Sequence, residues 1–109
     1  MVEQVAVIGD GQMATVCAVM LADRGIHVRL WSIFRENIEA MKATRENRRY
    51  LPGLRIPERV ACTTDVRAAL HGAELIVSAV PCQFLRGVWE KIGDYYPRGV
   101  PVASVHATW

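Results

Sequence analysis

The stretch Val5-Ala6-Val7-Ile8-Gly9-Asp10-Gly11-Gln12-Met13-Ala14-Thr15 decides how the rest of this chain is read. An apolar run ends in G-x-G-x-x-A, and an apolar-patterned helix follows. That is the strand–turn–helix setting in which a glycine fingerprint signals dinucleotide binding. Gly9 permits the tight turn out of the strand. Gly11 carries no side chain, so a pyrophosphate can approach the backbone. Ala14 is small enough for the helix to lie close to the strand. The helix N-terminus then offers unpaired N–H groups and a positive dipole end to phosphate oxygens.

Outward from this turn, strand and helix patterns alternate, which argues for an α/β fold with a parallel sheet. The first strand is expected at about 4–8 and the first helix at about 12–24, with Gly25 as its C-terminal stop. Val28, Leu30 and Trp31 mark a second strand, and a second helix is expected over about 34–47. Residues 50–57 hold two prolines and a glycine and read as a connection. A short third strand is expected at 60–63. Asp65 is a candidate N-cap for a short helix ending near Leu70. The run Leu75-Ile76-Val77-Ser78-Ala79-Val80 is the clearest buried strand. Pro81 closes it, a helix is expected over about 83–94, and residues 101–105 read as a fifth strand. The expected architecture is a Rossmann-like doubly wound sheet of about five parallel strands with helices on both faces, one dinucleotide-binding domain over residues 1–109. Ligand would lie beyond the carboxyl ends of the strands, where Gly9–Gly11, Trp31–Ser32, Val80–Pro81 and His106–Ala107 converge.

Composition is that of an ordinary globular domain: 109 residues, 51% hydrophobic and 22% charged. A net charge of +2 is too small to argue for nucleic acid or a membrane surface as partner, and with no aromatic-basic pattern beside it nucleic acid is not expected. The mild cluster Arg45, Arg48 and Arg49 reads as a solvated helix end. No apolar run has the length of a membrane span, and no signal-peptide pattern is present. The three cysteines, Cys17, Cys62 and Cys82, fit neither a disulfide framework nor a zinc site, so no metal is expected and a reducing, cytoplasmic setting follows.

Four further features carry a resemblance. The glycine turn continues into Thr15, and the second strand ends Val28-Arg29-Leu30-Trp31. The connection reads Glu46-Asn47-Arg48-Arg49-Tyr50-Leu51-Pro52-Gly53, and the fourth strand runs into Ala79-Val80-Pro81-Cys82-Gln83. In these the chain resembles the N-terminal domain of the bacterial-type NAD(P)-dependent glycerol-3-phosphate dehydrogenases, in register over almost its whole length. The Tyr-Leu-Pro-Gly segment is the specific match, since related dehydrogenases share only the glycine turn. The resemblance implies hydride transfer between a nicotinamide and dihydroxyacetone phosphate, giving sn-glycerol 3-phosphate for phospholipid synthesis.

The resemblance also implies that Gln12 and Met13 face the pyrophosphate, with helix core as the alternative place for Met13. Val80 and Pro81 are expected on the nicotinamide side, and Tyr50 joins the cofactor-binding set. Cys82 stands where the family has a small hydroxyl residue. The end of the second strand, Trp31-Ser32-Ile33-Phe34-Arg35, holds no carboxylate to bind a ribose 2′-OH. Ser32 can bond a ribose or phosphate oxygen. Arg35 can pair with the 2′-phosphate of NADP, or be a solvated charge at a helix start. NADP or NAD is the expected cofactor, with NADP slightly preferred. Ala107 and Thr108 fall where the family carries a Lys-Gly pair, and alanine cannot polarise a carbonyl or bind phosphate. The helical substrate domain is expected to be absent, so no catalytic residue is assigned and turnover by this chain alone is not expected. An open sheet edge would then favour self-association. Other readings are a nucleotide-sensing module, a non-functional remnant, or a related dehydrogenase acting on 6-phosphogluconate or ketopantoate.

Overall fold

In the computed structural model, which describes residues 2–105, the chain runs β1 (Gln4–Ile8), α1 (Gln12–Asp23), β2 (His27–Trp31), α2 (Arg35–Thr44), β3 (Glu46–Asn47), β4 (Leu51–Arg55), β5 (Val60–Thr63), α3 (Val66–Leu70), β6 (Leu75–Ser78), α4 (Cys82–Ile92), a 3-10 turn (Gly93–Tyr95) and β7 (Val102–Ser104). The expectations placed on His106, Ala107 and Thr108, and on the side chain of Cys82, lie outside the described residues.

The apolar character of β1 sets the layers. Val5, Ala6, Val7 and Ile8 are all fully buried, as a strand covered on both faces must be. Side chains alternate across the sheet, so Val5 and Val7 pack with α1 and α2, while Ala6 and Ile8 pack with α3 and α4. The five-stranded sheet has the order β5-β2-β1-β6-β7, and every pairing in it is parallel. The doubly wound expectation therefore holds, with β1 at the centre and the chain reversing direction between β1 and β6.

Local sequence accounts for several boundaries. Ala14, Ala18 and Ala22 repeat at a spacing of four and form the buried stripe of α1, which lets that helix lie close on the sheet. Its end is a Schellman motif: Ile26 N donates to the Leu21 carbonyl and Gly25 N to the Ala22 carbonyl, with Gly25 at φ +87°. Asp65 caps α3, accepting from the Arg67 and Ala68 amides at 3.0 and 3.3 Å. Among the described residues, no helix is long and apolar enough to cross a membrane.

The structure corrects the region after α2. The helix ends at Thr44 instead of reaching Asn47, and residues 46–55 form an antiparallel hairpin, β3 with β4, where helix end and a connection were expected. Arg45 adopts a left-handed conformation, φ 55°, and its guanidinium donates to the carbonyls of Ile56, Pro57 and Val60. Arg45 is thus a partly buried clamp between the helix end and β5 and not a solvated charge; Arg48 and Arg49 are exposed as expected. Helix-forming composition favoured continuation, and these long-range hydrogen bonds override it. Arg45→Gly would remove the left-handed strain yet leave three carbonyls without that donor. We expect a net loss of about 1–3 kcal/mol, read as a lower urea midpoint at unchanged m-value; a gain would show that backbone strain outweighs the clamp.

Candidate functional site

The reversal between β1 and β6 opens a cleft at the carboxyl ends of the strands, with a volume of about 590 Å³. That is the size of a small-molecule or cofactor site. Its floor is the glycine turn. Gly9 takes φ +125°, and a Cβ there would stand 2.8 Å from the Ala79 carbonyl oxygen. Gly9 N also donates to the Trp31 carbonyl at 2.7 Å, so the turn is tied to β2. Gly11 differs: a Cβ on it would meet no atom within 4 Å. No protein atom fills the space at Gly11, so at the mouth of the cleft the turn's backbone is open to a ligand lying on it. The residues therefore fit a bound dinucleotide.

The remaining walls come from three directions. The end of β2 and the start of α2 supply Trp31, Ser32 and Arg35; the hairpin turn supplies Tyr50 and Arg49; the segment after β6 supplies Val80 and Pro81. Trp31 is a core residue, 1% exposed, with its indole N–H donated to the Thr64 carbonyl at 2.9 Å. Ser32 Oγ accepts from Phe34 N at 3.1 Å, which leaves its own proton free to donate. Arg35 is exposed in the first turn of α2. Gln12 and Met13 are exposed on the first turn of α1 and are not part of the cleft wall, while Ala14 is fully buried between α1 and the sheet. Ala14 thus serves the close packing of turn and helix.

A polar cluster that sequence reasoning did not assemble holds this arrangement. The Asn47 side chain, 0% exposed, donates to the Asp10 carbonyl at 2.7 Å and to Thr15 Oγ1 at 2.8 Å. Thr15 Oγ1 in turn donates to the Gly11 carbonyl at 2.8 Å. Asn37 of α2 donates to the Asp10 carboxylate at 2.9 Å and reaches Asn47 Oδ1 at 3.4 Å. Asn47 Oδ1 also accepts from Tyr50 N at 3.3 Å, which shapes the hairpin turn. The position of Asn47 ahead of Tyr-Leu-Pro-Gly was a visible signal for it; Asn37 and Asp10 offered none. The cleft also takes in Ile33, Phe34 and Phe84, exposed apolar side chains that can cover flat ligand surface. Burial pushes the thiols of Cys17 and Cys62 up, so neither is a ready thiolate.

Asn47→Ala would remove the side-chain donor to the buried Asp10 carbonyl and to Thr15 Oγ1, and leave Tyr50 N without its acceptor. We expect a loss of about 2–4 kcal/mol, measured by urea unfolding, since buried polar groups left unpaired carry their full desolvation cost. A change below 0.5 kcal/mol would mean that the cluster is solvated in solution.

The comparisons with known proteins agree with this geometry. A family model described as the N-terminus of NAD-dependent glycerol-3-phosphate dehydrogenase matches residues 4–107. The glycerol-3-phosphate dehydrogenase (NAD(P)+) of Thermus thermophilus is 49% identical over 83 residues, covering 76% of this chain and 26% of that protein. The enzyme of the same name from Moorella thermoacetica is 38% identical over 104 residues, 95% of this chain and 31% of that protein. The crystal structure of the Coxiella burnetii glycerol-3-phosphate dehydrogenase superposes with a TM-score of 0.90 at 30% identity, over 95% of this chain and 32% of that one. The chain spans about a quarter to a third of the length of these relatives. Motif, strand order, cleft and family match coincide, and the chain belongs to the NAD-dependent glycerol-3-phosphate dehydrogenase family, corresponding to its N-terminal domain.

Proposed function

We propose that the cleft binds a nicotinamide dinucleotide, and that this chain is the cofactor-binding part of a dehydrogenase interconverting dihydroxyacetone phosphate and sn-glycerol 3-phosphate. The observation that carries the reading is Gly11, a glycine with open space where its Cβ would be, at the switch point of the sheet. When bound, the nicotinamide gives or takes a hydride at a substrate carbon. The chain's own residues hold the cofactor for that step. Gly9 and Gly11 let the pyrophosphate rest on the turn, at the N-terminus of α1. Val80 and Pro81 form the wall beyond β6, on the nicotinamide side, and Tyr50 closes the cleft from the hairpin. Gln12 and Met13, exposed beside the turn, cover the outer side of the pyrophosphate. Ala107 stands where the resembled family has lysine, and no catalytic residue is assigned to this stretch of chain.

Ser32 and Arg35 give NADP a slight preference over NAD. One hydroxyl proton and one guanidinium line the cleft there as partners for a 2′-phosphate, and the stretch Trp31–Arg35 holds no carboxylate. The compartment is cytoplasmic, consistent with the free thiols of Cys17 and Cys62. The ligands are small molecules, with no role for nucleic acid.

Titration with NADPH and NADH, followed by nicotinamide fluorescence, tests the reading. We expect saturable binding of both, tighter for NADPH. Gly11→Val should lower both affinities by at least about tenfold while shifting Tm little, because the side chain fills ligand space and not protein space. A folded chain that binds neither cofactor would sink the proposal and favour a remnant of the fold.

A second proposal concerns the edge of the sheet. Val102, Ala103 and Ser104 of β7 are all exposed, and β7 is the outer strand on its side among the described residues. Unpaired strand edges template association, so copies of this chain should pair through β7. Light scattering at rising concentration should show dimers or larger species; a monomer throughout would count against it.

A further inference from the structure

We propose that Arg49 is the second arm of a two-arginine clamp on the cofactor's 2′-phosphate, with Arg35 as the first, an inference that rests on the dinucleotide reading above. A phosphomonoester carries close to two negative charges at neutral pH, and one exposed guanidinium matches it poorly. The structure supplies a second from a different element. Arg35 comes from the start of α2 and Arg49 from the hairpin turn, yet both line the same cleft.

Other exposed arginines nearby are already paired. Arg48 lies 3.6 Å from Glu46, and Arg55 lies 2.9 Å from Glu58. Arg35 and Arg49 form no ion pair among the described residues. Arg49 instead stacks over the Tyr50 ring, 5.3 Å from its centroid. Stacking leaves the in-plane N–H donors of the guanidinium free and restricts its rotamers, so less entropy is lost when it grips an anion. The turn beneath it is pinned by Asn47, which accepts from Tyr50 N, and by Glu46, which accepts from Gly53 N at 3.0 Å. Ser32 Oγ–H and the start of α2, which has no side-chain cap, add donors to the same rim.

Two carboxylates oppose this charge. Asp10 is buried and bonded to Asn37, whereas Glu36, next to Arg35, is exposed in the cleft. Glu36 is the carboxylate free to act against a bound phosphate in this cleft. Arg49 raises selectivity for a 2′-phosphate and Glu36 lowers it.

The test is the ratio of NADPH to NADH affinity in the wild-type chain, Arg49→Ala, Arg35→Ala and Glu36→Gln, with adenosine 2′,5′-bisphosphate against adenosine 5′-monophosphate as a probe of the 2′-phosphate alone. Circular dichroism checks that each variant is folded. We expect Arg49→Ala to lower the ratio about fivefold to tenfold, the scale of one charge-assisted bond at a partly solvated site. Glu36→Gln should raise it. The bisphosphate probe should lose affinity in step with NADPH. An unchanged ratio in Arg49→Ala, whether both cofactors weaken together or neither does, overturns the clamp while leaving the dinucleotide reading standing. Glycerol 3-phosphate competing for the arginines better than the bisphosphate would place a substrate phosphate there and also overturn it. A folded wild-type chain that binds no dinucleotide removes both proposals together.

Discussion

The contact between Gly9 and the Ala79 carbonyl is the constraint on which the site depends. β1 and β6 leave the sheet so close together that a Cβ at position 9 would lie 2.8 Å from that oxygen. At φ +125° the backbone is also in a region that side chains disfavour. Both conditions must hold for β1 to turn sharply into α1 while its neighbour runs on to Val80 and Pro81. Because Gly9 N is bonded to the Trp31 carbonyl as well, three strand ends meet at one point. A ligand laid across that point touches segments far apart in sequence, which is how a short chain builds a cofactor-sized cleft.

Around this contact lies a buried polar knot. Asp10, Thr15, Asn37 and Asn47 are all nearly inaccessible to solvent, and they bond one another or the backbone of the glycine turn. Among the described residues, no buried side-chain nitrogen or oxygen lacks a partner. A fully satisfied network in a low-dielectric interior is rigid, because each member would be costly to strand. The knot joins the turn, α1, α2 and the hairpin into one unit. It therefore carries Tyr50 and Arg49 to the cleft, although the hairpin itself is a small two-stranded ribbon outside the main sheet.

The two sides of the cleft differ in chemistry. The β2 and hairpin side carries the charged and polar Ser32, Arg35, Glu36 and Arg49 among the apolar Ile33, Phe34 and Tyr50. The β6 side carries Val80, Pro81 and Val88, an apolar wall that can shield a reacting ring from water. This division follows from the doubly wound topology, which places the two halves of a dinucleotide on opposite sides of the switch point.

Much of this was legible before any coordinates, and for a common reason. The buried run of β1, the glycine turn with Ala14, the Gly25 stop and the Asp65 cap are all set by contacts within a few residues. Local sterics and hydrogen bonds decide them, and these are written in adjacent letters. The parallel order of the strands follows almost as directly, since strand–helix alternation with right-handed crossovers leaves few topologies. The clamp of Arg45 on carbonyls 11 to 15 residues away, the early end of α2 and the β3–β4 hairpin were not legible. Nor was the bond from Asn37 to Asp10, across 27 residues. Each depends on which distant backbone group arrives within hydrogen-bond reach, and only the folded chain determines that. The sequence thus settles the scaffold and the end of the sheet at which its cleft opens, because their causes are local or topological. The fold alone decides which side chains hold the cleft in shape, because their partners become neighbours only through packing.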